Sequence, residues 1–230
     1  MKWLIPGKIQ ANKKLTGISC GNFSLMEESN DKLLKSESGS PRAVWSMGHS
    51  NVTIDEFIDL VRWREIQVIA DVRSMPYSKY TPQFNKELLV ASLLKAGIRY
   101  QFMGDSLGGR PPEPDLYDDE GHVLYSELAR NFRFKSGIEQ LCIAAEKESI
   151  AMMCSEESPQ NCHRRLLISR VLSEQGVETL HVRGNRSVQS NAELINLFGP
   201  HFTENLFGGE PWRSIQPVLR NGQQNNFSEN

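Results

Sequence analysis

The chain has 230 residues, 39% of them hydrophobic, which is enough for one domain with a hydrophobic core. Its formal net charge of -2 excludes a protein that coats nucleic acid through a general positive charge, although a local basic cleft is compatible with it. Every apolar run is shorter than the about 20 residues of a membrane span, and the N-terminus lacks the apolar segment of a signal peptide. We therefore predict a cytoplasmic protein that has no membrane partner.

Composition divides the chain into three parts. Residues 1–42 end in a polar run without periodicity and in turn formers from Ser36 to Arg42, which predicts a partly disordered N-terminal extension or linker. Residues 43–213 carry the periodic segments of a single α/β domain. Residues 214–230 are rich in amide side chains and are predicted to form a flexible tail. The four cysteines are irregularly spaced and are expected to be reduced thiols.

Strand-like and helix-like segments alternate through the domain. Ala43 to Gly48 predicts a buried strand, and Thr53 and Glu56 have the spacing of a helix capping box. Further strands are predicted at QVIADVRS, IRYQFMG, SIAMMCSE and VETLHVRG, and helices at NKELLVASLLKAG, at about Tyr125 to Lys147 and at PQNCHRRLLISRVLSEQG. Because parallel strands need crossover helices, we predict a three-layer α/β fold, Rossmann-like or rhodanese-like, with helices flanking a mostly parallel five-stranded sheet.

Residues able to do chemistry follow the predicted strands. The first four strands run into GHSN, DVRSMPYSKY, GDSLGGRP and CSEESPQNCHRR. The carboxyl ends of parallel strands meet at one edge of the sheet, and α/β proteins bind their ligands there. The four loops therefore predict one shared cleft.

The loop after the fourth strand indicates an anion site. Ser158 and Pro159 fit the cap and first position of a helix, which puts Cys162, His163 and Arg164 in its first turns. Free backbone amides and the helix dipole favour an anion there, and arginines can bind phosphate or carboxylate bidentately. The residues expected to contact this ligand are Ser50, Arg73, Ser74, Gly108, Gly109, Arg110, Glu156 and Arg164.

Two neighbouring arginines at this helix start are predicted to face different ways. Consecutive side chains on an α-helix are about 100° apart. Leu167, Val171 and Leu172 mark the face that packs on the sheet. Arg164 is nearest that face, so we expect Arg164 to point to the cleft and Arg165 to point away from it.

The same electrostatics would activate a thiol. A thiolate is stabilised at a helix start beside arginines, which makes Cys154 or Cys162 a candidate nucleophile. The candidate catalytic residues are Cys154, Cys162, His163, His49 and Asp71. Structural roles are open alternatives, with Cys154 as a small buried residue and Asp71 as the ion-pair partner of Arg73.

Zinc is the less favoured interpretation of these residues. Cys154, Cys162, His163 and His49 contain enough ligands for a tetrahedral site, but the spacing C-x7-C-H is unusual, and an adjacent cysteine and histidine rarely both bind one ion. GDSLGGRP lacks the glycine spacing of a dinucleotide or Walker-type loop. We therefore predict no cofactor and no metal.

The chain resembles the bacterial domain-of-unknown-function 488 family through the motifs GHSN, DVRSMPYSKYTPQF, GIRYQFMGDSLGG and MCSEESPQNCHRRLL, over about Val44 to Arg183. The resemblance implies an α/β fold and a pocket, and no established reaction. The chain is also distantly similar to rhodanese-like domains, in which Asp-x-Arg follows an early strand and a catalytic cysteine ends a later one. That similarity puts Cys154 at the nucleophile position, but Arg164 lies further from it than in the rhodanese loop.

The sequence thus predicts a transferase or hydrolase whose cleft binds a phosphate-bearing ligand, either a phosphorylated small molecule such as a nucleotide or a nucleic-acid backbone. One alternative is a non-catalytic module that recognises nucleic acid or a protein. Another is a rhodanese-like sulfurtransferase. If a cysteine carries the reaction, Cys154→Ser should abolish turnover and leave binding intact.

Overall fold

A computed structural model describes residues 43–199 and 212–218. The predicted N-terminal extension, and the predicted tail beyond Val218, lie outside the described residues. None of the helices in these two ranges combines the length and the hydrophobicity that a membrane span requires.

In the part of the chain that the structure describes, six strands form one sheet. They are β1 (Ala43–Gly48), β2 (Val68–Asp71), β3 (Arg99–Phe102), β4 (Ile150–Cys154), β5 (Glu178–Val182) and β6 (Val188–Ser190). Their order across the sheet is β3-β2-β4-β1-β5-β6. All neighbours from β3 to β5 are parallel, and β6 is antiparallel to β5. The predicted α/β class with a mostly parallel sheet is confirmed.

The sixth strand corrects the predicted count of five. After β5 the chain reverses in a tight turn, in which Arg186 has a φ of 65° and its backbone N–H donates to the carbonyl of Arg183. β6 then pairs with β5 over three residues. A three-residue strand at a sheet edge is too short to show a period in the sequence, which is why it was not predicted.

The helices are α1 (Ile54–Trp63), α2 (Lys86–Lys95), α3 (Gly104–Leu107), α4 (Tyr125–Leu128), α5 (Phe132–Lys147), α6 (Arg170–Glu174) and α7 (Asn191–Phe198). A π-helical segment, Arg164–Ser169, leads directly into α6. The single helix predicted from Tyr125 to Lys147 is two helices, because Asn131 caps α5 by accepting from the N–H of Arg133.

Alternation along β4 shows how the sheet separates two apolar cores. Ile150, Met152 and Cys154 belong to the core that α5 and α6 cover. Ala151 and Met153 belong to the core that α1 and α2 cover. Successive side chains of a strand point to opposite faces, so this central strand is buried by helices on both sides, as a three-layer fold requires.

The described segment Trp212–Val218 packs back onto the domain. The N–H of Ser214 donates to the carbonyl of Val123 at 2.9 Å, and the N–H of Val218 donates to the carbonyl of Gly121 at 2.8 Å. The indole of Trp212 donates to the carbonyl of Leu166. The packed chain therefore extends five residues past the predicted domain end at 213.

The capping box of α1 gives a first testable prediction. The hydroxyl of Thr53 accepts from the N–H of Glu56, and the Glu56 carboxylate accepts from the N–H of Thr53 at 2.8 Å. Removing an N-cap hydroxyl usually costs about 1 kcal/mol. We expect Thr53→Ala to lower the free energy of unfolding by about 1 kcal/mol in urea denaturation. The control Thr53→Ser keeps the hydroxyl, so equal losses in both variants would contradict the capping role.

Candidate functional site

A cleft of about 920 Å³ lies at the carboxyl ends of β2 and β4. Its walls come from the loop that follows β2, from Gly109 and Arg110, from the loop that follows β4 and from Ser214–Val218. Cys154, the last residue of β4, and His163, directly before the π-helical segment, lie in its lining.

Two sulfurs and one imidazole form a cluster beside this cleft. Nδ1 of His163 lies 3.8 Å from Sγ of Cys154 and 3.8 Å from Sγ of Cys162. All three atoms lie within 4.8 Å of one another. Nε2 of His163 lies 3.0 Å from the carbonyl oxygen of Val72. A carbonyl only accepts hydrogen bonds, so Nε2 carries a proton, and in the neutral imidazole Nδ1 presents its lone pair to the sulfurs.

The backbone before the helix places these side chains. The N–H of Cys162 donates to the carbonyl of Pro159, and this turn ends where the helix begins at His163. Cys162 therefore lies in the turn before the helix. The sequence instead predicted a helix that starts at Pro159 and has Cys162 in its first turns. The following winding is π-helical, which is uncommon and often found at functional sites.

Arg164 lies behind the cluster, which differs from its predicted position in the cleft. Its side chain is 1% exposed. Nε donates to Sγ of Cys162 at 3.3 Å, Nη1 donates to the hydroxyl of Ser46 at 2.9 Å, and Nη2 donates to the carbonyl of Glu156. Arg165 is also buried and donates to backbone carbonyls. The prediction assumed an α-helical rotation that the π-helical segment does not have.

The cluster makes its two thiols unequal. The hydrogen bond from Cys162 lowers the pKa of Cys154 to about 7, and the charge of Arg164 acts in the same direction. Burial raises the pKa of Cys162. Burial lowers the pKa of His163, but the charge and hydrogen bond of Cys162 outweigh it and raise that pKa. The more acidic thiol is thus Cys154, which lines the cleft.

An ion pair organises the wall of the cleft at the end of β2. Asp71 is fully buried, and its carboxylate accepts from Nε of Arg73 at 2.8 Å and from Nη2 of Arg73 at 2.6 Å. The hydroxyl of Tyr100 donates to the same carboxylate at 2.9 Å. Asp71 therefore holds Arg73 in place. This agrees with the alternative, left open by the sequence, that the two residues form a structural ion pair.

His49 completes this network as a neutral residue. Its Nδ1 donates to the carbonyl of Ser50 at 2.7 Å, and its Nε2 accepts from Arg73 at 3.2 Å. Its ring stacks on Phe84 with centroids 4.0 Å apart. Burial lowers the pKa of His49 to about 4, and the charge of Arg73 acts in the same direction. His49 thus supports Arg73 from inside the protein.

The predicted site residues fall into three groups. Those lining the cleft are Arg73, Ser74, Gly109, Arg110, Cys154, Glu156 and His163. Those buried behind it are His49, Asp71, Cys162 and Arg164. Two others lie at its margin: the N–H of Ser50 donates to the carbonyl of Ser155, and Gly108 lines a neighbouring pocket of about 170 Å³.

Two glycines permit close approaches in the site. A Cβ atom on Gly109 would lie 2.8 Å from Cγ of His163, and one on Gly48 would lie 1.7 Å from the carbonyl oxygen of Glu156. Gly109 was predicted to contact the ligand. In the structure it also leaves room for the imidazole ring, so its role includes the placement of His163.

Some lining residues were not predicted. Tyr77 and Tyr80 line the cleft with 71% and 83% of their surface exposed. Two tyrosines in the short polar loop SMPYSKY are the signal that could have found them, because exposed aromatic residues often mark binding surfaces.

Glu156, which was predicted, also lines this cleft. Burial of its carboxyl and the nearby Cys162 raise the pKa of Glu156 to about 7.

The fold and the site define an α/β protein with a thiol–imidazole cluster at the carboxyl ends of its central strands. A family model described as "Domain of unknown function DUF488" matches residues 53–171, just over half of the chain. The chain belongs to this family. Neither the comparison with curated proteins nor the comparison with solved structures found a match, so the likeness to rhodanese-like domains has no support from them.

Proposed function

We propose that the cleft binds a phosphate-bearing ligand, a nucleotide or a nucleic-acid backbone, and that the thiol–imidazole cluster is its reacting centre in a group transfer or hydrolysis. The observation that carries this proposal is that cationic, aromatic and thiol groups line one cleft. The reduced thiols Cys154 and Cys162 agree with a cytoplasmic location, which is part of the proposal.

The arginine side chains of the lining support the proposal that the ligand carries a phosphate. Arg110 is exposed in the cleft, and its backbone is fixed because its N–H donates to the hydroxyl of Ser74 at 2.9 Å. Arg73 lies in the same wall, where its charge is paired with that of Asp71. Glu157, an acid in the same lining, is paired with Arg183 at 2.6 Å, which reduces its repulsion of a phosphate. An arginine in the position of Arg110 can donate two hydrogen bonds to phosphate oxygens.

The exposed tyrosines favour a ligand with a base. Tyr77 and Tyr80 present aromatic rings in the cleft that contains Arg110. Nucleic-acid bases of every type stack on such rings, and each stack contributes about 1–3 kcal/mol. A nucleotide whose phosphate lies at Arg110 and whose base lies on a tyrosine is therefore the ligand class that the lining supports best.

The proposal predicts which variants lose binding. A thermal-shift screen of the full chain against nucleotides and short oligonucleotides should find a stabilising ligand. For that ligand, Arg110→Ala should weaken binding about ten- to a hundredfold, because a charge-assisted hydrogen bond contributes about 1.5–3 kcal/mol. Cys154→Ser should keep the affinity and lose turnover.

The matched control is Arg130→Ala. Arg130 is exposed outside the cleft lining, where it pairs with Glu127 at 2.9 Å, and its loss should not change the affinity. Equal losses in both arginine variants, or no phosphorylated ligand that raises the melting temperature, would refute the proposal. Binding without any turnover in the unchanged chain would favour the non-catalytic recognition module.

A further inference from the structure

We infer that Cys154, Cys162 and His163 form a three-ligand zinc site whose fourth position opens to the cleft. This goes beyond the proposed function, because it rests on the geometry of the cluster and does not depend on which ligand the cleft binds. It also reverses the expectation from the sequence that no metal is bound.

The distances fit a tetrahedral ion. Zinc lies about 2.3 Å from a cysteine sulfur and about 2.0–2.1 Å from a histidine nitrogen, so two ligand atoms of a tetrahedral site are about 3.5–3.8 Å apart. Both sulfur–Nδ1 distances in the cluster are 3.8 Å, and all three atoms lie within 4.8 Å of one another. An ion at their centre therefore needs only small side-chain shifts.

The orientation of His163 is that of a metal ligand. Metal-binding histidines almost always donate their second ring N–H to a carbonyl or carboxylate, which fixes the tautomer and the ring. Nε2 of His163 donates to the carbonyl of Val72 at 3.0 Å, which leaves the lone pair of Nδ1 directed at the two sulfurs. Gly109 packs closely against the same ring.

The surroundings balance the charge of a zinc–thiolate site. Zinc binding releases the two thiol protons to solvent, so the ion and two thiolates together are neutral. Nε of Arg164 donates to Sγ of Cys162, as an outer partner of a metal-bound thiolate does. Soft sulfur ligands with one imidazole in a tetrahedral arrangement select zinc over magnesium or calcium.

The adjacency of Cys162 and His163 does not prevent binding, although it made the site improbable from the sequence. Cys162 ends the turn that begins at Pro159, and His163 begins the helix. Their backbone conformations therefore differ, and both side chains reach the cluster, with Sγ of Cys162 and Nδ1 of His163 3.8 Å apart.

The fourth position defines the kind of site. Structural zinc sites have four protein ligands, whereas catalytic sites have three and an open position for water. Cys154 and His163 both line the cleft, so an ion bound to them faces it. A zinc-bound water has a pKa of about 7 and is a nucleophile for hydrolysis of a bound phosphate or acyl group.

The test uses the full chain, stripped with a chelator and loaded with zinc or with cobalt as a coloured substitute. We expect one zinc per chain by mass spectrometry and, with cobalt, the absorption bands of a tetrahedral thiolate complex. Cys162→Ser and His163→Gln should each weaken zinc binding by more than the about 10–100-fold that is typical of outer-shell changes. Gly109→Ala should weaken it by about 10–100-fold, because it displaces a ligand without removing one.

Cys142→Ser is the matched control, since Cys142 lies on α5 outside the cluster, and it should bind zinc like the unchanged chain. An unchanged chain that shows no thiolate band with cobalt, or a Cys162→Ser variant that keeps both the cobalt affinity and the full band intensity of the unchanged chain, overturns the site. If a variant does not fold, the cobalt spectrum of the unchanged chain still decides. If the chain binds zinc but no phosphorylated ligand, this inference stands and the proposed function is refuted. If the chain binds a phosphorylated ligand but no zinc, the proposed function stands and this inference is refuted.

Discussion

Arg164→Met is expected to lower the free energy of unfolding by about 3–6 kcal/mol, because hydrogen bonds from a charged group contribute about 1.5–3 kcal/mol each and two good acceptors lose theirs. The guanidinium is 1% exposed and bonds to Ser46, to the carbonyl of Glu156 and to the sulfur of Cys162. Methionine fills part of the volume but donates no hydrogen bond. Urea denaturation followed by circular dichroism measures the loss.

Arg164→Lys and Arg130→Met separate charge from geometry. Lysine keeps the charge but cannot reach three acceptors that lie in different directions. Arg164→Lys should therefore lower the free energy of unfolding by an amount between the losses for Arg164→Met and Arg130→Met. Arg130 is 72% exposed, and its replacement should cost less than about 1 kcal/mol. If Arg164→Met were as stable as Arg130→Met, the buried guanidinium would not be holding the loop after β4 in place.

Asp71→Ala should cost a similar amount for a different reason. It leaves Arg73, which is 5% exposed, as a buried charge without its carboxylate, and such losses are typically about 3–5 kcal/mol. It also removes the acceptor of the Tyr100 hydroxyl. The midpoint of urea unfolding should therefore fall strongly.

Two variants test this explanation. Asp71→Asn keeps an acceptor but no charge, and we expect a smaller loss than for alanine. Glu127→Ala breaks the exposed pair with Arg130 and should cost less than about 1 kcal/mol. A loss for Asp71→Ala no larger than that for Glu127→Ala would show that the ion pair at the end of β2 does not stabilise the domain.

The fold was largely predictable because its determinants are local. The alternation of apolar strands and amphipathic segments predicted the α/β class, and the spacing of Thr53 and Glu56 predicted the capping box that the structure contains. The break at Asn131 and the three-residue β6 were missed, since a cap inside a long periodic run and a very short edge strand leave little signal in the sequence.

The site was predictable in position more than in orientation. The order of the strand-end loops indicated which residues gather at one edge of the sheet. It did not indicate that Arg164 and His49 point into the protein while His163 lines the cleft. Those directions depend on a π-helical segment and on buried partners such as Ser46, which lies 118 positions from Arg164 in the chain. Periodicity does not report contacts of that range.

The strand order has a consequence for how the chain folds as it is synthesised. β1 and β2 emerge early, but they do not pair with each other, because β4 lies between them. The ribosome must therefore release Ile150–Cys154 before either strand gains its central neighbour. Until then two apolar strands have unpaired edges, so nascent chains that stop before β4 should depend on chaperones and should aggregate when released. The strand that joins β1 to β2 also ends in Cys154, so the thiol–imidazole cluster cannot form before this strand is in place.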